Sequence, residues 1–572
     1  MRRFTFSVML ALATVAVNAQ EVGDNGWKTD LSTTEKTADL LRGGAMAIDN
    51  EGNSIVTGSF DKELWFGQSY LEPIATSAFI AKYDKGGTEQ WAASLQGAAT
   101  VTTVTTDAEG NVYAAGVFAD VVKIIDSESC SVIINGMEGQ TEQVSGFIVK
   151  FDKNGIYQAH KVVIPEVDAE INNKIASAED SYAGFSPSFT AKKLIVDGNT
   201  LYISAAYKDN VNIDDVTLQG KYTCSDGWLY ADETSMCVLS LNSYNLSNTK
   251  VISCLGATDK LNEEVAYNTE DVNFTVNDGK VYVGYVADGK NMTLNAGGKE
   301  SAIELTYGDG VHEHAFILAT IDGNSTSSKV FHSVATNAIN SLNTIDEMAY
   351  NNGNLYLAGT FNETFPFDNS KSYVGGCDTY LASLKASDLT KNWALTSGYD
   401  EGDAMHNAEV VTAMAVFDDE VQLAGWTEAT SGNVIDKCLN FFVDTEATPT
   451  VMETKAGDEA SFITSAAQNG IYTIMQSDNK DEEGTTEGRY TYEFNYDIDA
   501  PTGIKQIAAT TDNTINFDGN TVTLTKAADI DLYTVSGALV KSAKNVSSLS
   551  LDNVASGMYL LKAGKQTVKI VK

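Results

Sequence analysis

His312 and His314 stand two residues apart in a chain that has only five histidines. On a strand, residues at that spacing project from one side and offer two imidazoles to a metal ion. No third ligand accompanies them, so a pair of solvent-exposed histidines is the simpler account, and His160, His332 and His406 stand alone. The adjacent carboxylates Asp214 and Asp215, like Asp418 and Asp419, would suit acid and base work if a cleft raised one pKa. With 77 Asp and Glu residues, such pairs arise by chance and more often solvate loops. No Gly-x-Ser-x-Gly, His-Glu-x-x-His or Gly-x-x-x-x-Gly-Lys-Ser/Thr pattern occurs, so no residue is assigned a catalytic role. Aromatic pairs in three long irregular stretches are more suggestive: Trp65 with Phe66, Tyr182 with Phe185, and Trp228 with Tyr230. Flat rings beside carboxylates suit stacking on sugar rings or gripping a polypeptide.

These side chains hang between copies of one pattern. A turn containing Gly-Asn leads into a short strand ending in Gly plus an aromatic, most clearly at Asp49 to Phe60 and Asp107 to Phe118. Weaker copies at Asp197, Asp278, Asn352, Asp418 and Asn469 bring the number to seven. Third strands recur seven times, from Ala78, Gly146, Met236, Ala315, Thr379, Asn440 and Tyr490. Fourth strands, typified by Glu89 to Leu95 around Trp91, are found only six times. The missing one matches Asp24 to Leu31, which aligns Trp27 with Trp91 and predicts pairing of Trp27 to Leu31 with Tyr490 to Tyr496. A ring whose first strand completes its last blade has no free sheet edge. The longer connections, Asp61 to Ser77, Ala119 to Ser145, Pro165 to Lys193, Thr217 to Ser235 and Ala287 to Glu313, are expected to crowd one face and to carry binding.

The segment AFIAKYDKGGTEQWAASL and the two full Asp-x-x-Gly-Asn turns resemble the bacterial seven-bladed β-propeller repeat often labelled SBBP. The resemblance covers roughly Gln20 to Asp497, fades in the third and sixth copies, and implies fold more than activity. Beyond Pro501 and Gly503, the stretches Ile530 to Ser542 and Leu551 to Lys572 resemble the type A C-terminal sorting domain of the type IX secretion pathway in Bacteroidota. That resemblance implies a partner, the type IX machinery acting through residues 514–572, and a tail that carries the folded propeller across the outer membrane and is then cut off, with the protein released or attached to the surface.

The start of the chain agrees with export. Arg2 and Arg3 precede an apolar run from Phe4 to Val17, and Val17-Asn18-Ala19 offers a small-residue cleavage site, so a signal peptide ending near Ala19 is expected. Removing it takes away two basic residues and no acid, which moves the net charge from −39 to −41. Such acidity argues against nucleic acid and anionic membrane as partners. No later stretch reaches eighteen consecutive apolar residues, so no transmembrane segment is expected. No cofactor is expected either; calcium is the one ion the acidity leaves room for, although no Asp-x-Asp-x-Asp-Gly loop is present. Six widely spaced cysteines do not make a disulfide scaffold; Cys224 and Cys237 are the best candidate pair, with buried free thiols an equal alternative.

The expected fold is all-β. It comprises a signal peptide over 1–19, a seven-bladed β-propeller over 20–497 closed by its N-terminal strand, a linker over 498–513 and a small C-terminal β-sandwich over 514–572. The expected function is that of a secreted or outer-membrane surface protein binding a glycan or protein, more a binding protein than an enzyme. A secreted glycan-active hydrolase or lyase, and a structural surface-layer or matrix component, are the alternatives.

Overall fold

The structure is a computed structural model. It describes residues 27–33, 41–139, 142–166, 188–220, 222–225, 228–230, 235–257, 261–262, 268–289, 292–308, 311–323, 325–334, 343–362, 364–371, 377–397, 409–416, 420–428, 435–444, 449–455, 460–467, 471–480, 486–496, 515–517, 520–534, 539–555, 558–563 and 566–572. Among these, every helix or strand element is a strand, and no helix is long and apolar enough to cross a membrane. The chain forms two compact units, Met1–Asp497 and Ile498–Lys572. The expected signal peptide, cleavage site and linker lie outside the described residues.

Among the described residues of the first unit, seven antiparallel sheets of four or more strands follow one another along the chain, beside two smaller sheets of three and two strands. The first contains Leu41–Ile48, Ser54–Phe60, Ser77–Tyr83 and Glu89–Gln96, close to the bounds read from the repeat. Its turns form because an aspartate side chain replaces missing backbone partners. The Asp49 carboxylate accepts from the amides of Glu51 and Asn53, both at 2.9 Å, and Asp107 does the same for Glu109 and Asn111. Lys82, reaching Asp49 at 2.8 Å, completes the first turn. Burial works to raise the Asp49 pKa, but the Lys82 and Asn53 donors prevail and hold it below the ordinary carboxylate value.

The seventh sheet has three consecutive strands, Ala460–Ala467, Ile471–Lys480 and Thr486–Tyr496, and takes its fourth from the N-terminus. Trp27–Thr33 pairs antiparallel with it, Trp27 opposite Phe494 and Leu31 opposite Tyr490. The alignment of Trp27 with Trp91 has a three-dimensional counterpart. Each indole lies over the turn of the next sheet, at Gly87 (φ 77°) and Gly155 (φ 81°), so close that a Cβ there would meet the ring at 2.6 and 2.5 Å. Each also packs on an aromatic of that sheet's third strand, Tyr83 at 4.8 Å and Phe151 at 6.2 Å. Glycine is required there for the left-handed turn and for the space.

Among the described residues of the first unit, the apolar core is divided into seven clusters, one between each pair of consecutive sheets, with the seventh sheet packing on the first. This explains why middle strands such as Ser77–Tyr83 and Ser145–Phe151 are buried at every position rather than alternately. Both of their faces meet a neighbouring sheet. The first strands of the seven sheets touch in chain order, and the seventh touches the first.

The longer connections carry strands of their own. Three of them fold into hairpins that extend the outer edge of the preceding sheet, and a fourth hairpin, beginning before Thr217, does the same. Leu64–Phe66 with Ser69–Leu71 joins the seventh sheet, and Val121–Ile125 with Ser131–Asn135 joins the first. Asn210–Ile213 with Val216–Leu218 joins the second, and Met292–Ala296 with Lys299–Ile303 joins the third. The physical reason is twofold: an outer strand leaves unpaired backbone groups, and each hairpin has apolar residues to bury, as Leu64, Phe66 and Leu71 do.

In the second unit, Ile515–Phe517, Leu539–Ser550 and Met558–Ala563 all pair with one long strand, Thr521–Thr534, and Gln566–Val571 pairs with Met558–Ala563. The five strands thus make one hydrogen-bonded system where the sequence suggests two packed sheets. Val522, Ile530, Leu532, Leu551 and Leu561 form its core, and the terminal Lys572 ammonium donates to the carbonyls of Leu551 and Val554.

Candidate functional site

The first strands enclose a cavity of about 660 Å³ to which all seven sheets contribute. Its wall is uneven. One side is small and neutral, with Gly44, Ala45, Thr102, Thr103, Thr412 and Ser465. The other side is charged and comes from three consecutive sheets, whose first strands are Ser188–Asp197, Asn268–Asn277 and Glu347–Asn351. Hairpin register puts Lys193, Asn273 and Glu347 at equivalent positions. Each lies four residues before the pair that closes its hairpin, Asp197 with Thr200, Asn277 with Lys280 and Asn351 with Asn354.

That equivalence lets one cation bridge three sheets. Lys193 Nζ donates to Asn273 Oδ1 at 2.9 Å and to Glu347 Oε2 at 2.8 Å. Lys192 Nζ lies 3.4 Å from Asp271 Oδ1, while Asp271 Oδ2 accepts from the Ile345 amide at 3.0 Å. Asn273 Nδ2 donates to the Asp346 carbonyl at 2.6 Å. The two lysines are therefore matched by Asp271 and Glu347. Their side chains keep part of their surface in the cavity, 22% for Lys193 and 24% for Glu347.

Asp346 is different. Its Oδ2 is shut off from solvent and has no hydrogen-bond partner among the described residues. Burial, and next the charge of Asp271, push its pKa up from 3.8 to about 8, against the opposing pull of Thr344 and the Val411 amide. At neutral pH the side chain is mainly a neutral acid, able to donate a proton in a hydrogen bond.

The residues singled out by type and spacing fare unevenly. Phe66 is not a surface ring: it is fully buried against Phe79, 4.8 Å between centroids, because it anchors its hairpin. Trp65, the residue between two buried neighbours, is 45% exposed and packs on Tyr70 at 4.8 Å. Slight burial and the neighbouring Glu63 push the Tyr70 hydroxyl up to about 12. Tyr182 and Phe185 lie outside the described residues, as do the side chains of Trp228 and Tyr230, whose backbone forms the strand Trp228–Tyr230.

The histidine pair is corrected in part. His314 is 2% exposed, with its Nε2 3.5 Å from Asp288, so it is no solvent-facing residue. The His312 side chain is not among the described ones, and no described group of three or more candidate ligands could hold a metal ion. Asp214 is held below the ordinary carboxylate value chiefly by Lys161, an ion pair that leaves it no acid role. Asp418 and Asp419 fall outside the described residues. Cys237 is a buried thiol facing Cys254 rather than Cys224.

The charged wall was missed, although a signal exists. Lys192-Lys193, Glu270-Asp271 and Asp346-Glu347 are charged pairs on, or at the start of, the first strands of three consecutive repeats, where the first two repeats carry Gly44-Ala45 and Thr102-Thr103.

No protein-family model matches the chain, and no curated protein matches it. Solved structures with some likeness include the phage phi92 endosialidase, at 11% identity over 96% of this chain and 87% of that one, with a TM-score of 0.32. An α-L-arabinofuranosidase from Fusarium graminearum has 8% identity over 76% and 99% of the two chains and a TM-score of 0.33. An exotype rhamnogalacturonan lyase has 12% identity over 82% and 72%, with a TM-score of 0.34. Likeness of this size decides neither the fold nor an activity.

Asp346 makes stability depend on pH. Its folded pKa, about 8, lies above the ordinary 3.8, so the folded chain holds this proton more tightly than the unfolded one. The stability this provides is complete below about pH 4 and is lost as pH rises through about 8. Urea denaturation should show that Asp346→Asn flattens this decline and gains about 1–3 kcal/mol over the natural chain at about pH 9. An undiminished decline in the variant would contradict the assignment.

Proposed function

We propose that the first unit is a seven-bladed β-propeller, closed by its N-terminal strand, that works outside the cell as a binding protein for a neutral, hydroxyl-rich ligand, a saccharide unit, held in the axial cavity. The cyclic contacts of the seven first strands and the seven inter-sheet core clusters support the architecture. The observation that carries the function is the tier Lys193–Asn273–Glu347 facing a wall of small residues. Its volume of about 660 Å³ lies in the range of small-molecule sites. A sugar hydroxyl both donates and accepts, so it can bond to the ammonium and the carboxylate at once. The charges are already matched, so a polyanion gains nothing there and meets the chain's net charge of −39.

A second reading, a glycan-active hydrolase or lyase, is favoured by one observation: Asp346, whose carboxyl pKa is pushed up by burial, lines the same cavity as a second carboxylate, Asp271. Under that reading, product release would vanish on changing Asp346 alone, while ligand binding persisted.

Calorimetric titration with neutral oligosaccharides tests the cavity. Glu347→Gln should weaken binding tenfold or more, since a hydrogen bond to a charged group contributes about 1.5–3 kcal/mol. Trp65→Ala should leave it unchanged. Loss of binding with Trp65→Ala but not with Glu347→Gln would move the site to the hairpin.

Export through the second unit is part of the same proposal, supported by the leader-like start and the tail's resemblance to sorting domains. Mass spectrometry of the secreted protein should find chains ending within residues 498–513. Secreted chains that all retain Lys572 would refute processing.

A further inference from the structure

Outside the axial cavity, the structure brings two sulfurs together. Cys237 on Ser235–Asn242 and Cys254 on Lys250–Ala257 are direct cross-strand partners, so their side chains leave the sheet on the same face. Cys237 is wholly buried. Cys254 is partly exposed, shares a 3.1 Å hydrogen bond with the Tyr207 hydroxyl, and lines a second cavity of about 380 Å³ with Thr217, Gln219, Asn295 and Glu300. One sulfur is thus reachable from a polar cavity, and the other waits behind it.

We propose that Cys237 and Cys254 form a dithiol modification site, which a low-molecular-weight disulfide entering that cavity converts to a cross-strand disulfide. Directly opposed Cβ atoms stand about 4.5–5.5 Å apart in such sheets, and a disulfide needs about 3.5–4.5 Å, so closure asks for a shift of roughly 1 Å. The ladder has a register shift between Val238 and Leu239, next to the pair, where the backbone can take up that movement.

The exchange runs in two steps. Cys254, giving its proton to water, attacks one sulfur of the oxidant R–S–S–R; that bond breaks, R–S⁻ leaves, and a mixed disulfide forms on Cys254. Cys237 then loses its proton, its sulfur attacks Cys254 Sγ, and the second R–S⁻ departs. Two cysteines are oxidised and the oxidant is reduced to two thiols. The order follows from access. Burial, and next the proximity of Cys254, push the Cys237 thiol up, so it reacts only with the sulfur presented beside it.

Incubating the full chain with oxidised glutathione and mapping unreduced peptides by mass spectrometry tests the site. The natural chain should yield a peptide pair joined through Cys237 and Cys254. Cys237→Ala should stop at glutathionylated Cys254, and Cys254→Ala should leave Cys237 unmodified. Should Cys237→Ala fail to give the natural circular-dichroism spectrum, Cys237→Ser, closer in volume, takes its place. A natural chain that stops at the mixed disulfide, or that joins Cys237 to Cys224, would overturn the proposal.

Discussion

The antiparallel pairing of Trp27 to Ser32 with Arg489 to Phe494 is the contact on which the first unit depends. It joins residues more than 450 positions apart and supplies the strand that the seventh repeat lacks. Without it, the seventh sheet would end in an exposed edge and the first sheet would lose its packing partner. Trp27 and Leu31 belong to the same core cluster as Met46, Val56, Phe79 and Tyr83 of the first sheet and Ile474 of the seventh. The same N-terminal strand presents its other side to Leu64 and Trp65, so the first connection of the chain covers the edge that its first strand would leave open.

That contact also bears on the cavity. The first strands form a continuous wall only if the seventh sheet is held against the first. Gly43 at this junction donates to Gln476 Oε1 at 3.0 Å, and Thr412 and Ser465 link the sixth and seventh sheets by a 3.0 Å hydrogen bond. Small neutral residues occupy this half, while the lysines and carboxylates are concentrated where the third, fourth and fifth sheets meet. The cavity thereby has one charged side and one neutral side.

Much of the fold was legible in the residues, because turns and strand ends have strict requirements. An Asp that folds back on its own turn, a Gly with positive φ and a Trp lying over it recur in forms that can be counted, and counting assigned Trp27 to the last sheet. Less of the site was legible. Phe66 and Trp65 look alike in a string of letters, and only the alternation Leu64 in, Trp65 out, Phe66 in separates an anchor from an exposed ring. Cys237 and Cys254 become partners through register, which a bulge beside them shifts. Lys193, Asn273 and Glu347 lie 80 and 74 residues apart along the chain, and only the hairpin closures set them at one level.

Urea denaturation of Trp27→Ala compared with Trp65→Ala tests the junction of the first and seventh sheets most directly. Removing a buried Trp at a junction should cost about 3–5 kcal/mol, whereas the exposed Trp65 should cost about 0.5 kcal/mol or less. Equal and small losses for the two variants would mean that the N-terminal strand does not hold the first and seventh sheets together.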